Sequence, residues 1–141
     1  MPSIFTRIIE GELPGRFVWR DERAVAFLPI ALLAPGHTLV VPRDEVDHWI
    51  DLDADLNAHL WEVARQIGIA LDQTFHPAKV GVLIAGEEVP HVHIHLVPFT
   101  SVGQLSFANQ DTSPDPADLD RYAEQIRATL RANGHGDRVA D

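Results

Sequence analysis

Apolar residues fall first in short alternating or continuous runs and then, over one long stretch, at helical spacing. Ser3 is placed to cap a short helix carrying Ile4, Phe5, Ile8 and Ile9, which Gly11 and Pro14 end. Residues 17–20 and 24–28 read as two strands around the turn-like Asp21-Glu22-Arg23, and residues 37–41 as a third, ended by Pro42. From Asp53 to about residue 75 the period changes. Leu56, Leu60, Ile67 and Leu71 then share one face, with Asp53 and Asp55 at the positive end of a long helix. Residues 79–85 and 90–98 are β-rich runs joined through Gly86-Glu87-Glu88, which suggests a hairpin. After a polar loop, Leu119, Tyr122, Ile126 and Leu130 mark a last amphipathic helix over about 116–132. This order predicts an α+β fold, an antiparallel sheet with segregated helices, in a single domain over 1–141. Residues 133–141, around Gly134-His135-Gly136, are expected to form a mobile tail.

The 141 residues, 45% hydrophobic and 23% charged, support one ordinary core. With 21 acidic against 11 basic side chains the net charge is -10, which argues against a protein that tracks a nucleic-acid backbone. A local phosphate site remains compatible with it. The absence of cysteine removes disulfides, iron–sulfur clusters, thiolate zinc sites and cysteine nucleophiles together. The N-terminus lacks a basic start followed by an apolar stretch, and no apolar run approaches the ~20 residues that span a bilayer. No membrane association is expected, and a cytoplasmic location is.

The chemistry concentrates in Pro90-His91-Val92-His93-Ile94-His95-Leu96-Val97-Pro98. In an extended chain His91, His93 and His95 share one face and Val92, Ile94 and Leu96 the other. Isolated histidines such as His48, His59, His76 and His135 read as surface or hydrogen-bonded residues, but a row of three on one face does not. Two chemistries compete for it. Imidazole is a common zinc ligand, yet at ~3.3 Å per residue the outer pair starts about 13 Å apart, so a straight strand offers two ligands and not three. The other reading is nucleophilic: one neutral imidazole attacks phosphorus while its neighbours hold oxygens and the leaving group.

The motif His91-Val92-His93-Ile94-His95-Leu96-Val97 resembles the signature of the histidine triad (HIT) superfamily of nucleotide hydrolases and transferases. The likeness extends to residues 4–14, to Pro35-Gly36-His37-Thr38-Leu39-Val40-Val41-Pro42 and to Ala85-Gly86-Glu87-Glu88-Val89-Pro90, so that it spans about 3–100 in the manner of the small Hint branch of bacterial members. The resemblance implies a homodimer and a two-step reaction at the α-phosphate of a nucleoside phosphoramidate, phosphoanhydride or dinucleotide, with no cofactor. His93 would be the nucleophile and form a nucleotidyl-histidine. His95 and His91 would contact phosphate oxygens or orient it, with His37 beside them. Ile4, Phe5, Ile8, Phe27 and Leu39 would line the base pocket, and Glu88 and Val89 would lie at its nucleotide-binding edge. Read without the resemblance, the five apolar residues would simply be core.

Several positions depart from the pattern. Ser3 and Thr6 replace a Cys-x-x-Cys pair of some bacterial relatives, and Glu45 replaces a histidine, so the structural zinc of those relatives lacks its ligands. Val80 and Val82 stand where relatives carry an amide side chain and a glycine, and Pro29 where an aspartate often holds the ribose hydroxyls. These departures keep open a catalytically weak nucleotide-binding or regulatory module, and the histidine row a metal-binding protein.

Overall fold

Alternation along the strands lets a single sheet serve two cores. Strands β1 (Arg16–Arg20), β2 (Ala24–Leu28), β3 (Thr38–Pro42), β4 (Lys79–Leu83) and β5 (Ile94–Phe99) are antiparallel throughout, in the order β1-β2-β3-β5-β4. The computed structural model describes residues 1–139. Ala26, Val40, Ile94 and Leu96 project toward the long helix α2 (Ala54–Phe75) and toward α3 (Pro116–Ala132). Val25, Phe27, Leu39 and Val41 project the other way, under the short helix α1 (Ile4–Ile9). With cover on both faces, β2 and β3 are buried from end to end, which is why their sequences are apolar but for Thr38, whose hydroxyl donates to the Gly36 carbonyl at 2.8 Å.

The helices begin and end where side chains satisfy their free backbone groups. Asp53 accepts from the backbone N–H of Leu56 at 2.8 Å, and Asp115 accepts from that of Ala117 ahead of Pro116 at the first turn of α3. The faces predicted from spacing are the buried ones: Leu56, Leu60, Ile67 and Leu71 on α2, and Leu119, Ile126 and Leu130 on α3. Helix α1 is too short to cover its side of the sheet, and of its residues Phe5 alone is buried. Beside it a cleft remains, with His37, His93 and His95 in its wall. Gly36, at φ 88°, turns the chain into His37 and β3, and a Cβ there would lie 2.5 Å from the Phe75 ring.

Two expectations change. β4 and β5 pair as predicted, but the ladder starts at Ile94 and the connection runs over 84–93 instead of a tight turn. The cause lies in the backbone: Val92 N donates to Val46 O at 2.7 Å and His91 N to Val89 O at 2.8 Å, so this stretch is tied to the chain after β3 and not to β4. His91 and His93 therefore precede the strand. The tail expected to be mobile over 133–141 is docked as far as Val139. Arg20 N, on the outer edge of β1, donates to Arg138 O at 2.7 Å, and the His135 ring lies 5.4 Å from Trp19 with Nε2 3.0 Å from Gln66 Oε1. A sheet edge needs partners for its outward N–H groups, and the tail supplies one. Residues 140–141 of that expectation lie outside the described residues. Among the described residues no helix is long and apolar enough to cross a membrane.

Candidate active site

β5 brings His95 opposite Leu39 of β3, and the turn before β3 brings in His37. Hydrogen-bond partners then fix which nitrogen of each ring carries the proton. Leu33 N–H donates to His37 Nδ1 at 3.0 Å, so the His37 proton is on Nε2, which faces His95 Nδ1 at 2.9 Å. His95 accepts there, which places its own proton on Nε2. His93 Nδ1 lies 2.8 Å from the carbonyl oxygen of His91, an acceptor only, so His93 donates through Nδ1 and keeps the lone pair on Nε2. The two neighbouring rings, 4.8 Å apart, are thus prepared in opposite senses: His93 Nε2 as a base or nucleophile, His95 Nε2–H as a donor.

Burial holds all four rings neutral. It is the largest cause in each case, lowering His37 to about 3 and His95 to about 4, with repulsion from neighbouring imidazoles adding to it. His93 is lowered by burial, which outweighs its bond to the His91 carbonyl, and His91 by burial against the opposing pull of the Pro42 carbonyl and Glu45. A buried row of four imidazoles is tolerable because none is a cation at neutral pH.

The site opens into a cleft of about 460 Å³, within the usual range for small-molecule pockets. His37, His93 and His95 line it, and so do the residues expected to hold a nucleotide: Ile4, Phe5, Ile8, Phe27, Leu39, Glu88 and Val89. His91 does not. It is fully buried behind Phe5, its ring 5.8 Å from that phenyl, and its carbonyl lies 2.8 Å from His93 Nδ1, a placement that of its two expected roles fits orientation of His93 and not contact with phosphate oxygens. Val80 packs on the α2–α3 side of the sheet and does not line the cleft, whereas Pro29 does. Sequence reasoning missed Phe107, whose ring stands 5.1 Å from His95, and Gln110 beside it. A lone aromatic in a run of serine, glutamine and asparagine was the available signal. The backbone bridge between Leu32 and Asp111, 2.9 and 2.7 Å, is what folds that segment over the site.

Beside the cleft, Ser3, Thr6 and Glu45 gather around His91. This donor set does not suit a zinc ion. Its two hydroxyls are poor ligands beside thiolate or imidazole, and both His91 nitrogens are engaged, Nδ1 with Ser3 Oγ at 2.6 Å and Nε2 with the Pro42 carbonyl at 2.7 Å. Among the described residues no group of three or more His, Cys, Asp or Glu is arranged to hold a metal ion.

Comparison with known proteins follows the same lines. The profile of the HIT domain matches residues 10–102. A protein of Bacillus subtilis called "Protein hit" is 30% identical over 138 residues, covering 92% of this chain and 95% of its own. The crystal structure of a zinc-bound histidine triad family protein from Mycobacterium smegmatis superposes with a TM-score of 0.80 at 25% identity, over 94% of this chain and 96% of that one. A bifunctional bis(5'-adenosyl)-triphosphatase/adenylylsulfatase of Arabidopsis thaliana is 42% identical over 91 residues, 60% of this chain and 50% of that protein.

Proposed function

Since the chain belongs to the HIT family, a kind of nucleotide-binding hydrolases and transferases, we propose that its cleft binds a nucleoside phosphoramidate, phosphoanhydride or dinucleotide and that His93 attacks the α-phosphorus. The observation that carries this reading is the ring of His93: Nδ1–H bound to the His91 carbonyl leaves the lone pair on Nε2 of a residue that lines the cleft. Attack forms a phosphorus–nitrogen bond to Nε2 and breaks the bond to the leaving group, which departs with the electron pair next to His95 Nε2–H. Water then attacks phosphorus, the bond to His93 breaks with its pair returning to Nε2, and nucleoside monophosphate leaves. An amine leaving group takes up one solvent proton and the hydrolytic water returns one, so one water is consumed per turnover. The base lies against Phe5, Phe27 and Leu39, where apolar area supplies affinity without specificity for one heterocycle. The phosphoanhydride class is favoured by the triphosphatase activity for which the Arabidopsis relative is named.

A panel of nucleoside phosphoramidates and dinucleoside polyphosphates, assayed for nucleoside monophosphate release, tests the proposal. Turnover of at least one class is expected, and binding without release from any would leave only a nucleotide-binding module. Ribose recognition is expected to be weak, because Pro29 in the cleft wall has neither a side-chain acceptor nor a backbone N–H. A site lacking polar groups to strand discriminates little, so 2'-deoxy forms should react within about tenfold in kcat/KM, and a preference above ~100-fold would contradict this.

The partner expected from the resemblance, a second copy of this chain, also belongs to the proposal. β4 is the outer strand of the sheet opposite the tail, its Val82 is 45% exposed, and α2 exposes Trp61 and Ile69 at 40% and 39%. Two such edges pairing about a twofold axis would satisfy the β4 backbone and bury these side chains. Sedimentation is expected to give twice the chain mass, and a monomer at tens of micromolar would refute it.

A further inference from the structure

The Ser3 hydroxyl serves two elements at once. It accepts the N–H of Thr6 at 3.1 Å, which caps α1, and it lies 2.6 Å from His91 Nδ1. Because His91 Nε2 faces the Pro42 carbonyl, Nδ1 carries the lone pair and the hydroxyl proton goes to it. Ser3 itself is held from the other side. Its backbone N–H and the Thr6 hydroxyl both donate to Glu45 Oε1, the latter at 2.7 Å, and those bonds keep the Glu45 carboxyl below its usual range. Glu45 sits just past β3, so the start of α1 is clamped to the sheet.

His91 is thereby fixed at both nitrogens, and its carbonyl is the group that sets the tautomer of His93. Phe5, carried by the same capped helix, stacks edge-on against both rings, at 5.8 Å from His91 and 4.8 Å from His93. We infer that Ser3, clamped by Glu45, is a positioning residue for the nucleophile: its hydroxyl holds the His91 ring, the ring holds the His91 carbonyl, and the carbonyl holds the proton on His93 Nδ1. The inference rests on the proposal that His93 is the nucleophile.

Steady-state kinetics on Ser3→Ala and Ser3→Thr, together with ¹⁵N NMR of the histidine rings, test it. Ser3→Ala is expected to lower kcat by ~10–100-fold with KM changed by no more than about twofold, the usual cost of losing a group that orients a reacting ligand. Its His93 should populate both tautomers. Ser3→Thr keeps a hydroxyl and a good cap, and should recover kcat to within about threefold. A folded Ser3→Ala with kcat within about twofold of wild type, or with His93 still wholly in the Nδ1–H form, would overturn the inference. If Ser3→Ala does not fold, the wild-type spectrum decides: His91 must carry its proton on Nε2, and a proton on Nδ1 overturns the arrangement. His93→Ala run alongside separates the two ideas, since activity retained there refutes the nucleophile itself, whereas activity lost there and kept in Ser3→Ala refutes only the positioning role.

Discussion

His93→Ala is expected to reduce turnover by more than ~10³-fold while the protein still folds, because deleting a nucleophile removes the covalent route and leaves only binding and the neighbouring donors. The ring touches Phe5 and His95 at 4.8 Å each but stands at the cleft floor, outside the packed α2–α3 core. Its loss therefore costs little of the ~5–15 kcal/mol that a domain of this size has. Circular dichroism and a melting curve check the fold, and nucleoside monophosphate release checks the rate. Activity within tenfold of wild type, about 1.4 kcal/mol of barrier, would contradict the assignment.

Acid should unfold this protein unusually early. His37 and His95 are held at about 3 and about 4 against an ordinary value of 6.5, chiefly by burial and further by repulsion between the rings, and His91 and His93 are lowered in the same direction. The sign follows from which state binds protons. Above pH 6.5 both folded and unfolded chains keep these rings neutral, and the full stability is present. As pH falls below 6.5 the unfolded chain takes up protons that the fold refuses, and stability is lost until the folded values are reached. At about 1.36 kcal/mol per pH unit, His37 alone removes roughly 3 kcal/mol between pH 7 and pH 4. Asp21, which burial would raise, is held below 3.8 by hydrogen bonds from Trp19, Arg23 and Ala24, so its contribution disappears only below that window. Urea unfolding at pH 7, 5.5 and 4.5 measures the effect. A steep fall in midpoint is expected, with a shallower one in His37→Asn, and a midpoint flat from pH 7 to 4.5 would contradict the buried neutral row.

Local signals carried much of this in the sequence. Spacing on α2 and α3 and the caps Asp53 and Asp115 act within one or two turns, so the helices were legible nearly to their ends. The histidine row was legible because alternation survives wherever the chain is extended, in a ladder or not. What was hidden depends on distant partners. The late start of β5 comes from Val92 bonding to Val46, and the withdrawal of His91 from the cleft from Ser3 at the far end of the chain. Phe107 lies beside His95 on a segment that Asp111 ties to Leu32, far off in the chain. The tail looked mobile by composition, yet an unpaired edge at Arg20 gives it a place to bind.

Intact-mass analysis of protein quenched within the first turnovers tests the central claim most directly, because a covalent nucleotidyl adduct can form only on a working nucleophile. The account predicts one nucleoside monophosphate bound per chain, mapped by peptide fragmentation to His93 and absent from His93→Ala. Turnover of the same substrate with no adduct under any quench, or an adduct mapped to another residue, would contradict it.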